Sequence, residues 1–250
     1  MTGQIYVVGI GPGDPDHMTP AAEMALSSCQ IVIGFTLYVS FLKNRFPALR
    51  FESSGMQNEL ARARRAIELA ESGTTVGIVS SGDAGIYGIA APVIEMMQKR
   101  QSHVHIQIIP GISALSSSSS LLGSPLANDF AVISMSDLLT PLDTVLKRVE
   151  MFAQANIVTV IYNPRGSRFP DNIKKAIGIF LSYRSPETVV GIVRNAYRNG
   201  ESVSITTLSS LNTEDIDMLT TIIIGNSETF VYRGMMATRR GYNKKYAIDR

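Results

Sequence analysis

The stretch from Thr74 to Ala90, TTVGIVSSGDAGIYGIA, decides the fold. It opens on an apolar run, Val76 to Val79, which is typical of a strand buried on both faces. Small or turn-forming residues follow from Ser80 to Gly85, and the apolar periodicity of a helix then runs from Ile86 to Met97. A strand, a tight turn and a helix in this order predict a ligand-binding turn at the carboxyl end of a strand. A plain strand-to-helix turn without a ligand is the alternative interpretation.

The residues of this turn favour a ligand with hydroxyl or cationic groups. Gly82 and Gly85 permit positive φ angles and leave room for a ligand to approach the main chain. Asp83 adds one fixed carboxylate acceptor. A turn of this kind suits a ribose or a sulfonium.

Composition excludes several classes of protein. The chain has 250 residues, of which 45% are hydrophobic, and its formal net charge is +2. That charge is too small to argue for nucleic acid, and no apolar run reaches the roughly 18 residues of a membrane span. The single cysteine, Cys29, excludes an intrachain disulfide and is interpreted as a small buried residue. We therefore expect a cytoplasmic protein without nucleic-acid or membrane partners, and without an N-terminal secretion signal.

Alternating strand and helix patterns predict an α/β fold with two α/β domains and a cleft between them. We expect a mainly parallel sheet in residues 1–123 and a mixed sheet in residues 129–250, divided at GSPLAN, Gly123 to Asn128. The serine run Ser116 to Ser120 is either a flexible linker or a closely packed helix of small residues. The leucines that flank this run favour the helix.

Four predicted strands end in loops of ligand-binding character, and the carboxyl ends of strands are where α/β folds bind ligands. These loops are Gly9 to Pro15, Ser81 to Gly85, Pro110 to Ala114, and Tyr162 to Gly166. The first loop is not a dinucleotide fingerprint, because Asp14 replaces the third glycine and Pro12 removes an amide donor. Binding of nicotinamide or nucleoside triphosphate is therefore disfavoured.

Four motifs together resemble the tetrapyrrole methylases, which are S-adenosylmethionine-dependent enzymes of cobalamin, sirohaem and related pathways. The motifs are GIGPGDPDHMT, SGDAGIYG, IPGISA and IYNPRGSR, and the resemblance runs from Gly9 to about Tyr242. Within the family, SGDAGIYGIA, the run from Leu121 to Pro141, and IYNPRGSR with IGNSET and RRGY resemble the methyltransferases that act at carbon 17 of precorrin-3B. Ser81 departs from the family pattern, which usually has a glycine there.

The resemblance implies two α/β domains, S-adenosylmethionine bound in the cleft, a tetrapyrrole substrate and a homodimer. Methyl transfer from a sulfonium requires no metal site, and no set of metal ligands is evident in the sequence. Motif by motif, the resemblance assigns cofactor binding to ten residues. These are Pro12, Ser81, Gly82, Asp83, Ile86, Ser113, Ala114, Asn163, Ala196 and Thr221.

Methyl transfer from a sulfonium is an in-line displacement with a neutral leaving group. The protein mainly has to position the partners and exclude water. Asp14 is the best-placed carboxylate for a catalytic role, in which it would remove a proton or steer charge. The alternative is that Asp14 caps a turn or the following helix.

The substrate of such an enzyme carries many carboxylates, which guanidinium groups bind by bidentate pairing. Arg165 and Arg168 are the first candidates for substrate binding, and Arg239 and Arg240 are the second. A solvated basic surface is the alternative for either pair.

Three other functions stay open at this stage. The chain could methylate another carbon of a tetrapyrrole, it could carry a tetrapyrrole without chemistry, or it could be a dinucleotide-binding oxidoreductase, which the first loop disfavours. The residues do not distinguish a cobalt-containing substrate from a metal-free one.

Overall fold

The structure is a computed structural model that describes residues 3–166, 168 and 170–246. By internal contacts the chain divides into two compact units, Met1–Ala114 and Leu115–Arg250. No helix in the described ranges is both long enough and apolar enough to cross a bilayer.

The first unit is built on a five-stranded parallel sheet with strand order β3-β2-β4-β1-β5. Its strands are β1 Gln4–Gly9, β2 Ile31–Phe35, β3 Arg50–Ser54, β4 Thr75–Ser80 and β5 His105–Ile109. Its helices are α1 Pro20–Ser27, α2 Thr36–Leu42, α3 Glu59–Glu71 and α4 Ala90–Arg100, with a 3-10 turn at Pro15–His17. The predicted parallel sheet of the first half is confirmed.

Helices cover both faces of this sheet, so its central strands β1, β2 and β4 are apolar on both sides. On one face, Ile5 and Val7 of β1 share a buried cluster with residues of α3 and α4. On the other face, Val8 packs with residues of α1 and α2, and Cys29 lies in the same cluster. Burial raises the pKa of the Cys29 thiol to about 12, as expected of an inert core cysteine.

The second unit contains a mixed five-stranded sheet with order β10-β9-β11-β8-β7 and a small sheet with order β12-β13-β6. Its strands are β6 Gly123–Ser124, β7 Phe130–Ser134, β8 Val158–Tyr162, β9 Val189–Arg194, β10 Ser202–Thr207, β11 Thr220–Ile224, β12 Thr229–Tyr232 and β13 Met235–Thr238. Its helices are α5 Ala114–Leu122, α6 Leu142–Gln154, α7 Asn172–Tyr183 and α8 Tyr242–Lys245. Only β7 and β8 pair in parallel within the larger sheet, so the predicted mixed sheet is confirmed.

Helices α6 and α7 cover one face of the larger sheet, and α5 covers the other together with Met236 of β13. The predicted serine helix is confirmed as α5, in which Ser117 and Ser118 are buried. Close packing explains its small residues. A Cβ atom on Gly191 of β9 would lie only 2.4 Å from a methyl carbon of Leu122.

By contacts, α5 belongs to the second unit, since Leu122 shares a cluster with Val158 and Met236. This division falls nearer the N-terminus than the limits predicted at 1–123 and 129–250. Those limits and the cleft between domains stay predictions.

The structure differs from the sequence predictions at two local points. Helix α4 begins at Ala90 rather than Ile86, because Tyr87 has a φ of 51° and a Cβ atom on Gly88 would lie 2.4 Å from the carbonyl oxygen of Ala84. Strand β3, RFESS, is missing from the prediction because it is short and polar. The strands that the sequence predicts at Thr188 to Val193 and Ser202 to Thr206, around the turn signal Asn199-Gly200, are confirmed as the hairpin of β9 and β10.

Candidate functional site

Backbone contacts join the loop after β1 to the turn after β4. The amide of Gly11 donates a hydrogen bond to the carbonyl oxygen of Gly82 at 3.1 Å. The amide of Gly82 donates one to the carbonyl oxygen of Gly11 at 2.7 Å. Both glycines have positive φ, 76° and 66°. Since β1 and β4 are parallel neighbours, this pair extends their contact beyond the ends of the strands.

The loop after β5 approaches the same two loops closely. A Cβ atom on Gly111 would lie 2.2 Å from the carbonyl oxygen of Gly82 and 2.6 Å from the carbonyl carbon of Gly9. A Cβ atom on Gly9 would lie 2.7 Å from the amide nitrogen of Gly111. We call Gly9, Gly11, Gly82 and Gly111 the glycine contact; at Gly9 and Gly111 any side chain would separate the loops.

Both carboxylate oxygens of Asp83 hold this arrangement. Oδ1 accepts a hydrogen bond from the amide of Gly85 at 2.8 Å, and Oδ2 accepts one from the amide of Gly111 at 3.0 Å. The side chain is only partly buried. An ionised carboxylate has about four acceptor positions, so two bonds leave capacity for a ligand hydroxyl or cation. Asp83 therefore joins two loops, a structural role that the sequence analysis missed.

The structure brings six of the seven predicted cofactor residues of the first unit to these loops. They are Pro12, Ser81, Gly82, Asp83, Ser113 and Ala114. A Cβ atom on Gly82 would lie 3.5 Å from Cα of Ser113 and 3.6 Å from the amide nitrogen of Ala114. Ile86, the seventh, lies on the segment that leads to α4 and is 38% exposed.

Asp14 caps the 3-10 turn. Its Oδ1 accepts a hydrogen bond from the amide of Asp16 at 2.9 Å, and its Oδ2 lies 3.9 Å from Nδ1 of His17. This geometry is the capping alternative considered for Asp14, and a catalytic role for it stays a prediction. The pair Thr19-Pro20 predicts an N-cap at Thr19. This prediction is confirmed, since Thr19 Oγ1 accepts from the amide of Ala22 at 3.1 Å at the start of α1.

In the second unit, Asn163 joins the ends of two parallel strands. Asn163 follows β8 with a φ of 47°, and its Nδ2 donates to Oγ of Ser134 at 2.9 Å. Ser134 ends β7, and its Oγ also accepts from the amide of Ser136 at 3.3 Å. The side chain of Asn163 thus positions the loop that contains Ser136, part of the run singled out from the sequence.

Arg165 donates its hydrogen bonds within the second unit. Its Nη1 donates to the carbonyl oxygens of Thr213 at 3.1 Å and Glu214 at 2.9 Å, and its Nη2 donates to Oε2 of Glu214 at 2.9 Å. Lys174 Nζ lies 2.7 Å from the other oxygen of Glu214. Hydrogen bonds from Lys174 and Arg165 lower the pKa of the Glu214 carboxyl. The guanidinium of Arg165 therefore fixes a loop, while the predicted partner Arg168 is exposed; Ser167, between them, lies outside the described residues.

Of the last two predicted cofactor residues, one lies on the larger sheet of the second unit and the other follows one of its strands. Thr221 is buried on β11 opposite Val193 of β9. Ala196 follows the end of β9 and packs against the cluster that contains Leu122. The neighbours of Ala196, Asn195 and Tyr197, have positive φ angles of 52° and 56°.

Tyr162 is a further site-adjacent residue that the sequence analysis did not single out. Its hydroxyl accepts a hydrogen bond from the amide of Leu115 at 2.8 Å, so it ties the end of β8 to the start of α5. Among the described residues, no group of three or more His, Cys, Asp or Glu side chains is arranged to hold a metal ion.

Comparison with known proteins assigns the family. Residues 4–212 match the family described as Tetrapyrrole (Corrin/Porphyrin) Methylases. The chain belongs to this family. Membership confirms the resemblance carried by the four loop motifs and, with it, the prediction of a methyltransferase.

Individual tetrapyrrole methylases match nearly the whole chain. It is 40% identical over 238 residues to the "Probable cobalt-factor III C(17)-methyltransferase" of Salmonella typhimurium, covering 95% of this chain and 99% of that protein. It is 43% identical over 253 residues to the "Cobalt-factor III methyltransferase" of Priestia megaterium, of which it spans about half, 47%. The crystal structure of the methyltransferase CobJ is 30% identical, with a TM-score of 0.91 over 95% of this chain and 100% of that one. The predicted α/β fold of the family is thus confirmed.

Proposed function

We propose that this tetrapyrrole methylase uses S-adenosylmethionine to methylate carbon 17 of precorrin-3B or of its cobalt form in cobalamin biosynthesis. Ring contraction to the precorrin-4 level accompanies the transfer. The observation that carries the proposal is the 40% identity over 99% of a relative whose name specifies a cobalt-factor III substrate and carbon 17. The run from Leu121 to Pro141 and the motif IYNPRGSR support the same position on the ring.

The loops of the first unit suit the proposed cofactor. The glycine contact packs three loops together without side chains, and the partly buried carboxylate of Asp83 keeps acceptor capacity beside it. We assign Ile86 to the exposed edge of the cofactor site. The other residues of the first unit that we assign to cofactor binding are Pro12, Ser81, Gly82, Asp83, Ser113 and Ala114. Asn163, Ala196 and Thr221 enter the assignment through the resemblance alone.

The cofactor would supply an activated methyl group whose leaving sulfur becomes neutral. What remains for the chain is to bind and orient the two partners and to keep water out. Asp14 stays the candidate for a catalytic carboxylate, although its two oxygens already contact Asp16 and His17. Arg165 and Arg168 stay candidates for substrate carboxylates, with Arg165 restricted by its bonds to the loop at Glu214.

Calorimetric titration with S-adenosylmethionine tests the cofactor assignment. We expect Asp83→Ala to weaken binding by at least about tenfold, since a charge-assisted hydrogen bond contributes roughly 1.5–3 kcal/mol. Asp16→Ala is the matched control, because Asp16 is an exposed acid on a neighbouring turn. Unchanged affinity in a folded Asp83→Ala protein would remove Asp83 from the cofactor site.

Product analysis tests the reaction. Anaerobic incubation with the cofactor and with either metal-free or cobalt-loaded substrate should add one methyl group, located at carbon 17 by NMR. A methyl group at another carbon would support the second candidate, a different tetrapyrrole methyltransferase. Binding of the substrate without any mass gain would support a carrier and overturn the proposal.

We also propose a cytoplasmic homodimer without nucleic-acid or membrane partners. The family resemblance supports the dimer, and the small net charge of +2 gives no reason to expect nucleic-acid binding. Analytical ultracentrifugation at micromolar concentration should give twice the mass of the 27.2 kDa chain. A single species at the monomer mass would contradict this part.

A further inference from the structure

The second unit contains a pocket that shares no lining residue with the loops described above. It has a volume of about 270 Å³ and is formed around the small sheet of β12, β13 and β6. Ser124, Ala237 and Thr238 contribute from the strands β6 and β13, and Phe230 contributes from β12. The segment after β13 completes the pocket with Arg239, Arg240, Gly241 and Tyr242.

Two guanidinium groups line this pocket, each near an aromatic ring. Cζ of Arg239 lies 4.4 Å from the centre of the Phe230 ring, and Cζ of Arg240 lies 5.8 Å from the centre of the Tyr242 ring. Stacking leaves the N–H groups at the edge of a guanidinium available for bidentate pairing with a carboxylate. Among the described residues, no carboxylate lies within ion-pair distance of either group.

Hydrogen bonds hold the backbone at Arg239. The amide of Arg239 donates to the carbonyl oxygen of Glu228 at 3.1 Å. Beside it, the hydroxyls of Thr238 and Thr229 are 2.8 Å apart, and Thr229 Oγ1 also accepts from the amide of Asn226 at 2.9 Å. A fixed backbone limits the entropy that a ligand must remove on binding.

We propose that this pocket binds one carboxylated ring of the tetrapyrrole, with its acidic side chains on Arg239 and Arg240 and its face against Phe230 or Tyr242. A volume of about 270 Å³ is below the roughly 300–1,000 Å³ of pockets that enclose drug-sized ligands. The pocket therefore takes an edge of the macrocycle rather than the whole. The identity of the ligand rests on the proposed function, whereas the carboxylate chemistry rests on the pocket itself.

Two probes distinguish binding of carboxylates in general from binding of a tetrapyrrole. They are a single pyrrole with one acetate and one propionate arm, and a metal-free porphyrin with eight carboxylates. Calorimetry with the small probe and fluorescence titration with the porphyrin should each give saturable binding to the full chain. Arg239→Ala and Arg240→Ala should each raise the dissociation constant about tenfold, the effect of losing one charge-assisted pair. Arg233→Ala is the matched control, because Cζ of Arg233 lies 5.2 Å from the centre of the Tyr232 ring, in the turn between β12 and β13, but Arg233 does not line the pocket.

Conservative variants distinguish the guanidinium from bare charge. Arg239→Lys and Arg240→Lys keep the charge but lose the planar fork, so we expect at least half of the loss in binding free energy to persist. Thermal melting of each variant verifies folding. Equal losses in the pocket variants and in Arg233→Ala, or no loss in any of them, would overturn the proposal.

Methyl transfer gives an independent readout. If the pocket variants bind both probes normally while the enzyme still methylates its substrate, the pocket is not the carboxylate site and the proposed function stands. If the probes bind through Arg239 and Arg240 but no methyl group is transferred, the proposed function fails and the carboxylate site stands.

Discussion

The two units hold the loops at their strand ends by different means. In the first unit the loops meet backbone against backbone, at Gly9, Gly82 and Gly111, with Asp83 as the bridging carboxylate. In the second unit a long charged side chain holds such a loop, since Arg165 donates hydrogen bonds to Thr213 and Glu214. The first arrangement is sensitive to any added atom, and the second is sensitive to the loss of a side chain. This contrast predicts which substitutions each unit tolerates.

The largest effect is expected for Gly111→Ala. The new Cβ atom would lie 2.2 Å from the carbonyl oxygen of Gly82, and because that neighbour is backbone it cannot move by a rotamer change. We expect a loss of about 3 kcal/mol or more in unfolding free energy, measured by urea denaturation, or a protein that does not fold. In Gly178→Ala, the matched control on α7, the new Cβ atom has no neighbour within 4 Å and should stabilise by up to about 1 kcal/mol. Equal stabilities of the two variants would contradict a tight glycine contact.

Arg184 gives the corresponding test in the second unit. It is buried, and its guanidinium donates to the carbonyl oxygens of Phe152 at 2.8 Å, Ile157 at 2.7 Å and Gly225. Cζ also lies 4.7 Å from the centre of the Phe180 ring. Burial lowers the pKa of Arg184 to about 10, so the group is still charged at neutral pH.

Arg184→Ala should therefore destabilise the chain by about 3 kcal/mol, because the carbonyl oxygens lose the hydrogen bonds from the guanidinium and a cavity remains. Urea denaturation measures the change, and Arg184→Lys is the matched variant. It restores the charge but cannot reach all three carbonyls, so its stability should be intermediate. A loss below about 1 kcal/mol for the alanine variant would mean that water replaces the guanidinium.

The same contrast explains how much of the molecule could be predicted from sequence. The apolar run Val76 to Val79 and the glycines that follow are local signals, and they located the strand and the turn. The partners of the turn are distant, since Asp83 bonds Gly111, 28 residues away. Local periodicity carries no information about such a pair.

The partners of polar side chains are harder to predict from sequence than the positions of apolar strands. The place of Arg165 in a strand-ending loop predicts that it binds substrate, but its partner Glu214 lies 49 residues further along the chain. A surface arginine and a loop-fixing arginine look alike in sequence, because both are single charges in a polar segment. Strand β3 was missed for a related reason, since RFESS lacks the apolar alternation that marks a strand.

Arg165→Ala should have a much smaller effect on stability than the two variants above. The side chain of Arg165 is 25% exposed and that of Glu214 is 58% exposed, so solvent screens the pair. We expect the melting temperature to fall by no more than about 3 °C, measured by circular dichroism. A fall larger than that of Arg184→Ala would reverse the order predicted here.

The finest test is the protonation of Glu214. Hydrogen bonds from Lys174 and then Arg165 lower its pKa from the ordinary value of 4.5. A carboxyl whose pKa is lower in the folded state stabilises that state above its unfolded pKa, and the contribution disappears as pH falls through the folded value. NMR titration of the Glu214 side chain should therefore find the pKa raised toward 4.5 in Lys174→Ala, and raised less in Arg165→Ala. Lys175→Ala, which changes the next residue of α7, should leave the titration unaltered. If Arg165→Ala gave the larger rise, Arg165 rather than Lys174 would be the main partner of Glu214, and the loop at Glu214 would depend on the guanidinium alone.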